Sequence, residues 1–143
     1  MDGKILVTGG AGYLGSPGGH PLAQAGDAPP HPHRFAQSPR GGEQRLDLAR
    51  RPVVPRLAEL CGMPIDVIEA DVRDAEALRR TFHDHPIVGV VHCAGLKAVG
   101  EGEERPLAYW DVNVGGTIAL AEVMGEAGVA RLVFSSSATV YGQ

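Results

Sequence analysis

Apolar residues occur in short blocks along this chain, and four of the blocks have the spacing of β-strands. Residues 4–8 are short, apolar and β-branched, as expected of a buried strand. Residues 65–70 alternate between apolar and polar side chains, and residues 87–93 are continuously apolar, which is typical of a strand buried on both faces. A last apolar block covers residues 131–135. The pattern therefore predicts four strands.

Helical spacing separates the later strands. A short helix is predicted over residues 56–60, and Asp74 is a favourable N-cap for the next helix. A longer helix is predicted to begin after Pro106 and to end at Gly128. The residues that recur at helical spacing within it are Trp110, Val114, Thr117, Ala121 and Met124. In the helix that Asp74 caps, one face carries Ala75, Leu78 and Phe82.

The segment from residue 16 to about residue 55 has no periodic pattern. A proline inside a helix removes a backbone hydrogen bond and clashes with the preceding turn, so a regular helix is not expected here. The composition predicts an irregular or disordered segment. The prolines that interrupt its first part are Pro17, Pro21, Pro29, Pro30, Pro32 and Pro39.

Strands that alternate with helices predict an α/β fold. Such a chain forms a parallel sheet with helices on both faces. With 143 residues the chain is long enough for one domain with its own core, and no internal boundary or repeat is visible. We therefore expect a single α/β domain over residues 1–143.

Composition and charge narrow the possible functions only slightly. The formal net charge of −4 gives no basic face for nucleic acid or an anionic membrane. We see no signal-peptide core and no stretch that spans a bilayer, so the expected location is the cytoplasm. The two cysteines, Cys61 and Cys93, follow no metal or redox spacing, and His31 and His33 lack further ligands, so no metal site is expected.

A glycine-rich loop follows the first strand directly. Gly9, Gly12 and Gly15 form the pattern G-x-x-G-x-x-G. Glycines in this position allow a tight turn, let the backbone approach a pyrophosphate, and permit close packing of the next helix. An ordinary glycine turn is the alternative, because such loops occur in many proteins.

Three later motifs, taken with the glycine loop, point to one family. Residues 94–101 follow the last but one strand, Asn113 lies in a V-N-V-G-G-T sequence, and residues 134–142 read F-S-S-S-A-T-V-Y-G. Together with the glycine loop, their order and separation resemble the UDP-glucose 4-epimerase family, within the extended short-chain dehydrogenase/reductase superfamily. The resemblance covers residues 4–15 and about 52–143. The run at residues 96–101 argues against other members of the superfamily, such as nucleotide-sugar dehydratases, although another nucleotide-sugar epimerase or dehydratase is kept as an alternative.

The resemblance implies that residues 1–143 form a partial, Rossmann-like NAD-binding domain. It also implies that this domain belongs to an isomerase of galactose metabolism, which interconverts UDP-sugars by transient oxidation at C4. Asp71 and Val72 would contact the adenine ring, although Asp71 has the alternative of a simple carboxylate at a helix entry. Lys97 and Asn113 would otherwise be a solvated lysine and an exposed polar residue. The residues that the resemblance assigns to NAD are Gly9, Gly12, Tyr13, Leu14, Gly15, Asp71, Val72, Cys93, Ala94, Gly95, Lys97 and Asn113.

The resemblance also implies a substrate edge and a homodimer. Ser137, Ala138 and Thr139 would contact the UDP-sugar, and Ser137 would assist a catalytic tyrosine. Family members pair through helices on one face, of which the helix after Pro106 would be one. No nucleic acid or membrane partner is implied. His92, at a strand end, is expected to be satisfied in the core and not to be catalytic.

Two features depart from the family. The 143 residues contain no Tyr-x-x-x-Lys pair, and the final strand and substrate domain have no counterpart, so we expect this fragment to be inactive by itself. In residues 16–55 the family's first helix and its second strand, with an acidic residue for the adenine ribose, are degraded. This suggests a frame error, altered splicing or gene decay, and weak NAD binding. A non-enzymatic nucleotide-binding or subunit-pairing module and a poorly folding product are the alternatives.

Overall fold

The described part of the chain forms a five-stranded parallel sheet. The computed structural model describes residues 3–9, 34–37, 59, 66–97 and 99–137. The strands are β1 (Lys4–Thr8), β2 (Arg34–Gln37), β3 (Asp66–Glu69), β4 (Ile87–His92) and β5 (Leu132–Phe134). Their spatial order is β3-β2-β1-β4-β5, and every neighbouring pair is parallel. The α/β class with a partial Rossmann-like sheet is therefore confirmed.

The strand order reverses beside β1. The chain moves outward from β1 through β2 to β3, then returns to place β4 on the other side of β1. In such sheets ligands bind outside the carboxyl ends of the strands at this switch point. The register brings Thr8, the last residue of β1, level with His92, the last residue of β4.

β2 corrects the expectation for residues 16–55. No regular element is expected there, yet residues 34–37 form a strand between β1 and β3. Four residues between prolines give no readable period, but two neighbouring strands supply partners for the backbone groups of both edges. Tertiary pairing therefore produces a strand that local propensity does not indicate. The rest of residues 16–55 lies outside the described residues.

The helix that follows β3 is confirmed with its cap. Helix α1 covers Ala75–Asp84, and the Asp74 carboxylate accepts a hydrogen bond of 2.9 Å from the Ala77 backbone N–H. Leu78 is almost fully buried, with Ala75 and Phe82 packed beside it. Of the predicted helix at 56–60, the structure describes Glu59 alone, in helical conformation.

The long helix after Pro106 is interrupted in its winding. A short helix, α2 (Val99–Glu104), precedes it; α3 (Pro106–Tyr109) then passes into a π-helical turn, Trp110–Gly115, and α4 continues over Gly116–Glu126. The π-helical turn uses i→i+5 bonds, which changes the angular phase of the residues after it. Gly128, with φ of +69°, follows the end of α4, as predicted.

The apolar residues that predict this helix are mostly not those that it buries. Trp110 and Val114 are exposed, whereas Met124 is buried. The helix is apolar on more than one face, and periodicity alone does not show which face packs on the sheet. The residues that it buries are Val112, Gly116, Leu120, Val123 and Met124.

The core lies between one face of the sheet and helices α1 and α4. Leu6 and Val90 from the two central strands contact this core, which also contains Leu78 and Leu120. Val7 is also fully buried but lies outside this cluster, because successive strand residues point to opposite faces. Arg79 on α1 joins the two helices through hydrogen bonds of 2.7 and 2.9 Å to Glu126.

Among the described residues, no strand pairs with the outer edge of β5. All three residues of β5 are exposed, although they are large and apolar: Leu132, Val133 and Phe134. An edge strand of this kind offers unpaired backbone groups to another segment. Among the helices that the structure describes, none is long and apolar enough to cross a membrane.

Candidate functional site at the carboxyl edge of the sheet

The carboxyl ends of β1, β4 and β5 bring several of the described site residues together. Beyond the strands the backbone ladder continues: Cys93 N–H donates to Thr8 O at 3.0 Å, and Ser135 N–H donates to His92 O at 3.0 Å. Gly9, the 93–97 segment and Ser135–Ser137 therefore start from adjacent positions on one edge. This edge lies at the switch point of the sheet.

Gly9 fits this edge only as glycine. Its φ is +69°, a conformation that L side chains rarely adopt. A Cβ at this position would lie 2.7 Å from Ala94 N and 2.8 Å from the carbonyl carbon of Cys93. The first glycine of the motif thus lets the turn after β1 lie directly against the backbone that leaves β4.

Asn113 binds the backbone of the same segment. Its Oδ1 accepts a 2.7 Å hydrogen bond from Leu96 N–H, and its Nδ2 donates a 3.0 Å hydrogen bond to Leu96 O. Asn113 is half-buried, so the alternative of a solvent-exposed polar residue does not hold. A Cβ on Gly95 would lie 2.9 Å from Asn113 Oδ1, so a larger residue here would displace the Asn113 amide.

His92 is buried and fully bonded, as expected for a core histidine. Its Nδ1 lies 2.5 Å from Thr8 Oγ1, and its Nε2 lies 3.0 Å from Thr117 Oγ1. Burial, assisted by the charge of Lys97, lowers the pKa of His92 to about 4. The ring also contacts Phe134, with 5.6 Å between ring centroids. At neutral pH the imidazole is therefore uncharged.

Cys93 and Lys97 lie beyond the end of β4. Cys93 is half-buried, and burial raises the pKa of its thiol, although the Lys97 charge acts in the opposite direction. A protonated thiol is a poor nucleophile. Lys97 is exposed, and its Cε lies 3.6 Å from the position of a Cβ on Gly95.

Asp71, after β3, belongs to an ion-pair network. Its carboxylate accepts from the Arg73 backbone N–H at 2.9 Å, and from Nε and Nη2 of the same residue at 3.0 and 2.6 Å. Burial acts to raise the pKa of Asp71, but these hydrogen bonds outweigh it and the net pKa is lowered. Arg73 also binds Asp111, on the π-helical turn. Val72 is buried in the core, so its side chain is not exposed at this edge.

Several assigned residues have no described position. Ser137 is exposed beyond β5, on the same edge as Gly9. Within the described ranges, no group of three or more His, Cys, Asp or Glu residues is arranged for a metal ion. The assigned residues that lie outside the described ones are Gly12, Tyr13, Leu14, Gly15, Ala138 and Thr139.

Sequence reasoning missed the residues that hold the edge together. Thr8 and Thr117 bond the two nitrogens of His92, and Arg73 bonds Asp71. One signal was available: a histidine inside a continuous apolar run needs polar partners, and a threonine that ends the neighbouring strand is within reach. Thr117 is distant in sequence and gave no such signal.

Comparison with known proteins identifies the family that shares this architecture. The profile of the NAD dependent epimerase/dehydratase family matches residues 5–143. The chain belongs to this family. Within it, the chain is 46% identical over 142 residues to the UDP-glucose 4-epimerase of Bos taurus, a match that covers 99% of this chain and 39% of that relative. The chain therefore spans about two fifths of the length of that family member.

Solved family structures agree with the fold. The UDP-glucose 4-epimerase of Stenotrophomonas maltophila, solved with NAD and formylated UDP-arabinopyranose, is 41% identical with a TM-score of 0.82, covering 97% of this chain and 38% of that one. The Bifidobacterium longum enzyme, in complex with NAD+ and UDP, is 36% identical with a TM-score of 0.81, over the same shares of the two chains.

Proposed function

We propose that this chain is the NAD-binding portion of a UDP-glucose 4-epimerase and that it holds NAD along the carboxyl edge of β1 and β4. The observation that carries the proposal is Gly9, with its positive φ, packed without space for a side chain against the backbone of Cys93 and Ala94. A turn of this kind leaves the backbone accessible to a pyrophosphate at the switch point of the sheet. Family membership supports NAD as the dinucleotide.

The described residues suit the parts of a dinucleotide. NAD supplies hydride acceptance and return when it is bound. Lys97, exposed beside Gly95, offers a positive charge and three N–H donors to its ribose or phosphate groups. Asp71 still has acceptor capacity beyond its Arg73 bonds for an amino group of adenine, which Val72 would meet through its backbone. Gly12, Tyr13, Leu14 and Gly15 complete the proposed pyrophosphate loop.

The substrate end is proposed at Ser137. Its hydroxyl would orient the sugar 4-hydroxyl, with Ala138 and Thr139 beside it, so that the UDP-sugar lies against the nicotinamide end of the same edge. No Tyr-x-x-x-Lys pair occurs among the 143 residues. We therefore infer that these residues alone bind the cofactor but do not epimerise UDP-glucose.

Affinity for NAD is expected to be reduced. β2 ends at Gln37, where the resemblance expects an acidic residue for the adenine ribose. A carboxylate bonded to a ribose hydroxyl contributes a charge-assisted hydrogen bond, which is stronger than a neutral one. We therefore expect the loss of such a carboxylate to weaken NAD binding.

A homodimer is proposed through the helical segment after Pro106. Four of its apolar side chains are exposed along one stripe: Leu107, Trp110, Val114 and Ile118. Contiguous exposed apolar residues mark interaction surfaces. Sedimentation of the chain with Trp110→Glu tests the pairing: a mass that stays dimeric would place the contact elsewhere.

Equilibrium dialysis with NAD tests the cofactor proposal. The unchanged chain should retain NAD, and Lys97→Met should retain several-fold less, because one ligand-facing charge is lost. Arg80→Met is the matched control: Arg80 is an exposed cation on α1 whose ion pair is with Glu76, one helical turn away. Equal loss in both variants would indicate a net-charge effect, and absence of retained NAD in the unchanged chain would refute the function.

A further inference from the structure

The polar groups around His92 form one continuous chain of hydrogen bonds. The Ala94 backbone N–H lies 3.3 Å from Thr8 Oγ1, which lies 2.5 Å from His92 Nδ1. On the other side of the ring, Nε2 lies 3.0 Å from Thr117 Oγ1, which lies 2.6 Å from the Asn113 carbonyl oxygen. Thr8 and His92 are buried, so water does not substitute for these partners.

The direction of each hydrogen bond follows from the last acceptor in this series, the Asn113 carbonyl oxygen. The Asn113 carbonyl oxygen can only accept, so the single hydroxyl proton of Thr117 is donated to it. Thr117 Oγ1 must then accept from His92, which places the imidazole proton on Nε2. The other nitrogen, Nδ1, is consequently an acceptor, and the Thr8 hydroxyl donates its proton to it.

The same direction leaves Thr8 Oγ1 free to accept the Ala94 N–H. The opposite tautomer would turn the lone pair of Nε2 towards Thr117 Oγ1, whose only proton is donated to the Asn113 carbonyl, and would leave the Thr8 hydroxyl proton without an acceptor among these groups. A doubly protonated ring would donate to Thr8 as well and would leave the Thr8 proton without one of these partners. Only the Nε2–H tautomer satisfies every group in the chain.

The chain of hydrogen bonds ends on the segment that the proposed site uses. Ala94 is held at one end through Thr8, and Leu96 is held at the other through the side chain of Asn113. The helix residue Thr117 bonds both the imidazole and the Asn113 backbone. Between the two anchors lies Gly95.

We propose that His92, protonated on Nε2, is a positioning residue that holds the segment from Ala94 to Leu96 in the conformation that receives NAD. The imidazole does not touch the cofactor; it couples the strand end and the helix that together fix this backbone. The inference rests on the proposed NAD site, but the tautomer and the anchoring of the segment are properties of the chain without NAD.

The first test measures the tautomer directly. Two-dimensional nitrogen–proton spectra of the chain labelled at histidine distinguish Nε2–H from Nδ1–H through the ring protons that couple to each nitrogen. We expect the Nε2–H pattern for His92 at neutral pH. An Nδ1–H pattern would overturn the inference, whether or not the chain binds NAD.

The second test removes one link. Thr117→Val deletes the hydroxyl at nearly constant volume. Amide exchange at Ala94 and Leu96 should therefore accelerate, and NAD binding should weaken. The expected loss of affinity is about tenfold, because one lost hydrogen bond leaves a buried partner unpaired. Thr117→Ser keeps the hydroxyl and should restore both readouts. The matched control is Thr81→Val, which removes a buried hydroxyl bonded to Ala77 O within α1.

The outcomes separate the two proposals. If Thr117→Val changes exchange and affinity no more than Thr81→Val does, or if serine does not rescue them, His92 has no positioning role. If the unchanged chain binds no NAD while the tautomer, the exchange and the serine rescue follow expectation, the cofactor proposal fails and the anchoring of the 94–96 segment stands.

Discussion

Replacing Gly9 with alanine tests the geometry on which the proposed site depends. The substitution has two separate costs. The φ of +69° places an L side chain in the left-handed region, at about 1–2 kcal/mol. The new Cβ would also lie within 2.9 Å of three atoms of Cys93 and Ala94, all of them backbone. Backbone atoms do not rotate away, so the turn or the strand end must move.

The total cost follows from adding the two effects. Forcing extra atoms into a packed region costs about 1–3 kcal/mol, so Gly9→Ala should lower the free energy of unfolding by roughly 2–5 kcal/mol. Gly128→Ala is the matched control: Gly128 has the same φ of +69°, but a Cβ there meets no atom of the described residues within 4 Å. It should cost only the conformational part, about 1–2 kcal/mol.

Urea unfolding followed by far-ultraviolet circular dichroism provides the measurement. The single tryptophan, Trp110, is exposed and would report poorly on the core. The two variants should share one m-value and differ in midpoint, with Gly9→Ala the less stable. Equal midpoints for the two variants would refute the argument that the Cβ of residue 9 collides with the strand that leaves the sheet.

Three further predictions follow from single contacts. Asn113→Ala should lower the free energy of unfolding by about 2 kcal/mol, because both Leu96 backbone groups lose their partner; urea unfolding measures it, and a neutral result would mean that water replaces the amide. Since burial lowers the pKa of His92 from 6.5 to about 4, the unfolded chain binds more protons in this range, so stability is complete above pH 6.5 and should fall by about 3 kcal/mol towards pH 4. A His92→Gln variant should lose that part of the pH profile, and a profile parallel to that of the parent chain would contradict the assignment. Gly125→Ala, at an open position in α4, should raise the melting temperature by stabilising the helix by about 0.5–1 kcal/mol, and a lower melting temperature would show a contact that the helix surface does not offer.

The strands and helices that carried their own periodicity were predictable. β4 and α1 have residue patterns that match one element only, and the Asp74 cap adds a start signal. β2 was missed because its four residues gain a strand conformation from hydrogen bonds to β1 and β3, and these neighbours are remote in sequence. The buried face of the long helix was also not predictable, because exposed and buried apolar residues alternate around it.

The candidate site likewise contains residues that the sequence indicates and residues that only the structure reveals. Gly9 was singled out from the glycine motif, and Asp71 and Asn113 were singled out from the family resemblance. Arg73 was not, because its role depends on where the π-helical turn places Asp111. A side-chain pair of this kind is created by packing, and neither residue has a local signature.

By itself, the sequence determined the α/β class, the order of most elements and the motifs that mark this family, because hydrophobic period, capping and glycine spacing are local properties of a chain. Only the tertiary structure decided the place of β2, the buried face of the long helix and the hydrogen-bond chain from Thr8 through His92 to Thr117. Those features join segments distant in sequence, and the free energy that selects them comes from burying groups whose partners no local pattern identifies.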